Sequence, residues 1–123
     1  MTKRDIQKIV RKWQKILKLE DWDITVVTQR GKKAAGFLGQ NEITTERKVC
    51  RISLSIPHKE SHGEDADIET TIVHELIHIF FDPFYPVNPK RDKEKVILVE
   101  HAVEAISLAL VRLDRERKRR VHQ

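Results

Sequence analysis

From Ile72 to Phe81 the chain reads Ile-Val-His-Glu-Leu-Ile-His-Ile-Phe-Phe, and this run constrains the fold more than any other. A helix drawn through residues 68 to 81 carries apolar side chains on most of its circumference, so it has no face suited to water and must be surrounded by the rest of the chain. Asp82-Pro83 marks its end, because proline disfavours helical backbone in the residue before it. Within such a helix a polar side chain needs a partner, since an unpaired polar group in an apolar setting costs roughly 2–7 kcal/mol. Three stand there between residues 72 and 81: His74, Glu75 and His78.

Their spacing gives them a partner in common. Two residues four apart on a helix differ by roughly 40° and project to the same side, one turn apart, so the two imidazoles can close on one metal ion. Glu75 lies roughly 100° round from His74, too divergent to bind the same ion directly but close enough to hold a water on it. Zinc acidifies that water and the carboxylate takes its proton, which is the chemistry that H-E-x-x-H serves. A site is the better reading of these three residues than a set of satisfied core side chains.

The rest of the chain supplies the surroundings. Ile6, Ile9, Val10, Trp13, Ile16 and Leu17 recur at three- and four-residue steps among lysines and arginines, an amphipathic helix. Trp22, Ile24 and Val26 alternate, and this strand runs to a turn at Arg30-Gly31-Lys32-Lys33. Residues 34 to 43 form a weaker strand interrupted by Gly36 and Gly39. Over residues 47 to 56 Cys50, Ile52, Leu54 and Ile56 alternate with Arg51, Ser53 and Ser55, giving a strand with one buried and one solvated face that Pro57 ends. The polar loop 58 to 67 prepares a helix start with Glu64, Asp65 and Asp67, and His58 and His62 are ordinary surface residues of it. Trp13, Trp22 and Cys50 serve packing. A second, largely apolar helix runs from about Lys93 to Leu113. The order is α+β: an N-terminal helix, a small three-stranded sheet, the buried H-E-x-x-H helix and a second, glutamate-bearing helix. Residues 1–123 make one domain with a basic C-terminal tail from about residue 112.

Zinc needs a third protein ligand, and the second helix offers one. Glu100 and Glu104 share a face at i, i+4, where two like charges repel unless something positive lies beside them. His74-Glu75-x-x-His78 followed by Glu100-x-x-x-Glu104 resembles the gluzincin metallopeptidases. The size is similar to that of the minigluzincins and of small metallopeptidases found in prophages. The resemblance implies a zincin-like fold, zinc as cofactor, peptide or protein as substrate, Glu100 as third ligand and Glu104 orienting His74. Larger gluzincins stabilise the oxyanion with a Tyr or His beyond the glutamate helix. Here only His122 lies in that region, so Tyr85, in the loop between the two helices, is the substitute by position and chemistry, with His101 next. The strand over residues 47 to 56 stands where related peptidases offer a sheet edge to an extended substrate.

Charge and composition set the alternatives. Residues 1 to 20 carry seven Lys/Arg against two acids and residues 112 to 123 carry six against two, so the ends hold +9 of a net +5 and the middle −4. Such ends suit either a solvated surface or contact with nucleic acid. One alternative is therefore a zinc-containing regulatory or binding protein that engages a prophage repressor or DNA. Another is an SprT-like DNA-associated protease, whose third ligand is a downstream histidine; His101 is the interior candidate. The lone Cys50 forms no internal disulfide, and there is no apolar stretch of membrane-spanning length or leader-like h-region, which points to the cytoplasm.

Overall fold

A computed structural model describes residues 2–30, 39–56 and 67–121. Helix α1 (Lys3–Ile16) starts on a capping box. The Thr2 hydroxyl accepts from the Asp5 N–H at 3.2 Å, and the Asp5 carboxylate accepts from the Thr2 N–H at 2.8 Å, so two otherwise orphaned donors are satisfied. Its apolar stripe is Ile6, Val10 and Trp13, all buried. Lys18 turns the chain through the left-handed region (φ 60°), and the Gln14 amide donates to the carbonyls of Leu19 and Trp22, fixing the path into the sheet.

Three strands follow: β1 (Asp23–Arg30), β2 (Gly39–Thr44) and β3 (Val49–Ile56). Their order in the sheet is β1-β3-β2, with β1 parallel to β3 and β2 antiparallel to it, so the sheet is mixed. The β2–β3 connection is a single 3-10 turn over Thr45–Arg47 closed by Lys48 at φ 52°. Register places Ile24, Cys50 and Ile43 abreast, then Val26, Ile52 and Asn41, then Thr28, Leu54 and Gly39, all on one face. Cys50, Ile52 and Leu54 are buried there. This order corrects one expectation: the strand at residues 47 to 56 is not an edge, because β3 pairs on both sides. The expected turn at residues 31 to 33, the first part of the second strand, the loop at residues 57 to 66 with His58, His62, Glu64 and Asp65, and His122 lie outside the described residues.

Helix α2 (Ile68–Phe81) has Asp67 as its N-cap, whose carboxylate accepts from the Thr70 N–H at 3.1 Å. It runs through the centre: Ile72, Val73, Leu76, Ile77 and Ile79 are buried between the sheet, α1 and the last helix. Helix α3 (Lys93–Val121) packs along α2 through Val99, Val103, Ser107 and Val111, and the Ser107 hydroxyl is satisfied by the Val103 carbonyl at 2.6 Å.

The helical end of the chain is the second correction. Residues 112 to 121, expected as a basic tail beyond a helix ending near Leu113, are the last turns of α3 and, apart from Asp114, a solvated face of it. Asp114 is buried, and its carboxylate takes the Lys12 ammonium at 2.6 Å, while Lys12 also reaches Glu69 at 3.0 Å and the Trp13 indole donates to the same Glu69 oxygen at 2.8 Å. Three helices are thereby joined at one charged knot. Arg115 adds a two-pronged contact to the N-cap Asp67 at 2.7 and 2.9 Å. Basic residues in the final turns also meet the negative end of the helix dipole. The result is an α+β fold of three α-helices on a small mixed sheet, and no described helix is long and apolar enough to cross a membrane.

Candidate metal centre

Helix α2 carries His74 and His78 on the side that faces α3, with their rings edge to face at a centroid separation of 5.1 Å. Across from them, one turn apart on α3, stand Glu100 and Glu104. The Glu100 carboxylate lies between the two imidazoles, 3.1 Å from His78 Nε2 and 3.5 Å from His74 Nε2. Glu104 takes the other side of His74, with Oε2 at 2.8 Å from Nδ1. With His74 Nδ1 turned to that carboxylate, His74 Nε2 is the nitrogen left to serve an ion beside His78 Nε2.

Glu75 lies on the sheet side of the same group. One of its oxygens and a nitrogen of each histidine fall within 4.8 Å of one another. The residue is 4% exposed, and its Oε1 accepts from the Asn41 side-chain amide at 2.7 Å. Burial raises its pKa above the usual carboxylate range against the opposing pull of Asn41 and the two histidines, while the Glu100 charge pushes the same way as burial. A carboxylate so placed is a stronger base than one in water.

Strand β2 comes close to α2 because residue 39 is a glycine. A Cβ there would stand 2.9 Å from Thr71 Cγ2 and 3.1 Å from Glu75 Oε2. The approach brings Asn41, one register step further along the same face, within reach of Glu75. Neither role carries a sequence signal: Gly39 reads as a weak point in a strand, and Asn41 as a polar residue of an indistinct one.

These groups line a cavity of about 840 Å³ whose walls include Gly39, Gln40, Asn41 and Ile43 of β2, Thr70, Thr71, His74, Glu75 and His78 of α2, and Glu100 and Glu104 of α3. Asp82 and Tyr85 close it from the loop after α2. The structure thus brings His74, Glu75, His78, Glu100, Glu104 and Tyr85 to one cavity. His101 is exposed and takes no part in its lining, since it stands roughly 100° round α3 from Glu100. Cys50 is wholly buried under the sheet, where desolvation pushes its thiol up to about 12 and makes it inert.

No protein-family model, curated protein or solved structure matches the chain.

Proposed function

We propose that this protein is a zinc-dependent peptidase of gluzincin type, in which His74, His78 and Glu100 hold the ion, Glu104 orients His74 and Glu75 is the general base. The observation that carries the reading is the convergence of both Nε2 atoms on the Glu100 carboxylate, with the buried carboxylate of Glu75 beside them. Two imidazoles and one carboxylate form a donor set suited to zinc that keeps a coordination position open, as a catalytic rather than a structural site does. A zinc ion held by His74, His78 and Glu100 would supply a Lewis acid able to acidify a water and polarise a carbonyl. Glu75 accepts the proton of the attacking water and returns it to the leaving amine nitrogen, with Asn41 holding its other oxygen in line. Tyr85, on the cavity wall, is our candidate donor to the negative oxygen of the tetrahedral carbon.

The free edge of the sheet on this side belongs to β2, which among the described residues pairs only with β3. An extended peptide laid along that edge passes over Glu75, so main-chain pairing positions the scissile bond. The position of His101 outside the cavity supports a glutamate rather than a histidine as third ligand, and so favours this reading over an SprT-like protease.

A second reading rests on a separate observation. The Lys12–Asp114 contact ties α1 to α3, the two helices that carry the basic ends, which supports association with nucleic acid or with a regulatory partner.

The test is Glu75→Gln. The variant keeps its fold and binds zinc, yet loses hydrolysis by a factor of about 10² to 10⁴, the usual contribution of a general base. Cleavage of a peptide library and of cytosolic proteins is compared for wild type and variant at equal zinc content. If the zinc-loaded wild type cleaves nothing that the variant spares, the peptidase reading fails.

A further inference from the structure

Helix α3 buries one side against α2 and, among the described residues, leaves an apolar side uncovered. Leu98 and Leu113 are 64% and 63% exposed and Ile106 is 40% exposed, with Ala105 and Ala109 also exposed and Ala102 half-buried. On the helix surface these six residues form two neighbouring ridges of four-residue steps, Leu98-Ala102-Ile106 and Ala105-Ala109-Leu113. The ridges are reversals of each other about a point between Ala105 and Ile106. Leu98 corresponds to Leu113, Ala102 to Ala109, and Ala105 to Ile106. A surface of this kind is self-complementary under a two-fold axis, which is the requirement for an isologous interface.

We propose that the protein self-associates through this face, with α3 of two copies packed antiparallel about a two-fold axis between Ala105 and Ile106. Each leucine then covers the other end of its partner's ridge, and the alanines at the centre let the backbones approach closely. Charge decides the direction. Within α3, residues 112 to 121 carry six Lys/Arg and two acids, whereas residues 93 to 99, which the two-fold sets level with residues 112 to 118, carry two lysines and one glutamate. A parallel pair sets two +4 segments side by side. The antiparallel pair separates them and lays each beside the less basic start of the other helix. The same two-fold correspondence brings Glu94 level with Arg117 of the partner subunit, and Lys95 level with Glu116 of the partner subunit. Glu100 and Glu104 face the cavity on the other side of α3, so pairing leaves the metal centre open. The inference is independent of any catalytic activity.

Six side chains of this size bury on the order of 800 Å² in total, below the roughly 1,200 Å² of a standard stable interface, so the dimer is expected to be weak and reversible. A dissociation constant in the range of about 10 to 100 μM follows. Analytical ultracentrifugation of the full chain between about 5 and 300 μM, with and without saturating zinc, reads the association directly. Ala105→Arg and Ala109→Glu each place a charge in the seam and are expected to weaken association at least about 30-fold, with unchanged circular dichroism and zinc content. Direction is read by disulfide trapping, for which buried Cys50 is inert. An oxidised mixture of Ala102→Cys and Ala109→Cys chains forms the mixed disulfide well in excess of either homodisulfide, whereas a parallel pair enriches the homodisulfides. A wild type that remains monomeric at about 300 μM, a dimer that survives both seam charges, or dominant homodisulfides each overturn the proposal.

Discussion

Gly39→Ala tests whether the close approach of β2 to α2 is what positions Glu75. The added methyl meets Thr71 Cγ2 at 2.9 Å and Glu75 Oε2 at 3.1 Å, both inside normal contact, so strand and helix must separate by several tenths of an ångström. Overpacking of this kind costs about 1–3 kcal/mol. The unfolded chain loses freedom in the same substitution, which returns about 0.4–1 kcal/mol. A net destabilisation of about 1–2 kcal/mol is expected, seen as a fall in thermal midpoint of roughly 3–8 °C for a chain of this size. The same separation draws Asn41 from Glu75, so the proposed peptide hydrolysis is expected to fall by more than the small loss of folded protein explains. Thr71→Ser removes the methyl that the new Cβ meets and keeps the hydroxyl that donates to the Asp67 carbonyl at 3.1 Å. Combined with Gly39→Ala it should therefore restore more than half of the lost stability. Thermal unfolding by circular dichroism of the two single variants and the double gives the coupling energy. A neutral Gly39→Ala, or a double variant that is merely additive, refutes the packing argument.

Three further outcomes follow from the same geometry. On the proposed reading the wild type is expected to bind about one zinc per chain; His74→Ala and His78→Ala should abolish tight binding, Glu104→Ala should weaken it about 10- to 100-fold and Glu100→Ala should weaken it more, so a reversed order in metal titrations exchanges the roles of the two glutamates. Lys12→Met leaves the 5%-exposed carboxylate of Asp114 and the carboxylate of Glu69 without their shared cation and should destabilise the fold by about 2–4 kcal/mol in urea titrations, with Lys12→Arg recovering part of the loss. Arg115 holds the Asp67 carboxyl down to about 2 from its ordinary 3.8, so the stability this pair contributes is full above about pH 4 and is lost as pH falls toward 2; the destabilisation caused by Arg115→Ala should shrink over that window, and a pH-independent difference in unfolding free energy contradicts the assignment.

How far each of these features was legible before folding differs by element. Helix α2 was readable from Ile68 to Phe81 because its limits are local: acids and a capping Asp67 at one end, Asp82-Pro83 at the other, and an apolar run that only a buried helix accommodates. The four-residue spacing of His74 and His78 and that of Glu100 and Glu104 are likewise local, since helix geometry alone puts each pair on one side. The alternation in β3 announced a half-buried strand in the same way.

What lies between elements was decided only by packing. Nothing in the alternation of Cys50, Ile52 and Leu54 tells a central strand from an edge, because both bury one face; the pairing of β3 with β1 and β2 settled it and, among the described residues, left β1 and β2 as the outer strands. Charge composition marks residues 112 to 121 as solvated, which all but Asp114 are, yet it carries no sign that Asp114 meets Lys12 from 102 positions earlier in the chain or that the helix continues over that contact. Gly39 and Asn41 matter for the same reason. Their neighbours are Thr71 and Glu75, more than thirty residues away, and a contact of that span follows from how the sheet lies on the helix and not from any local pattern of residues.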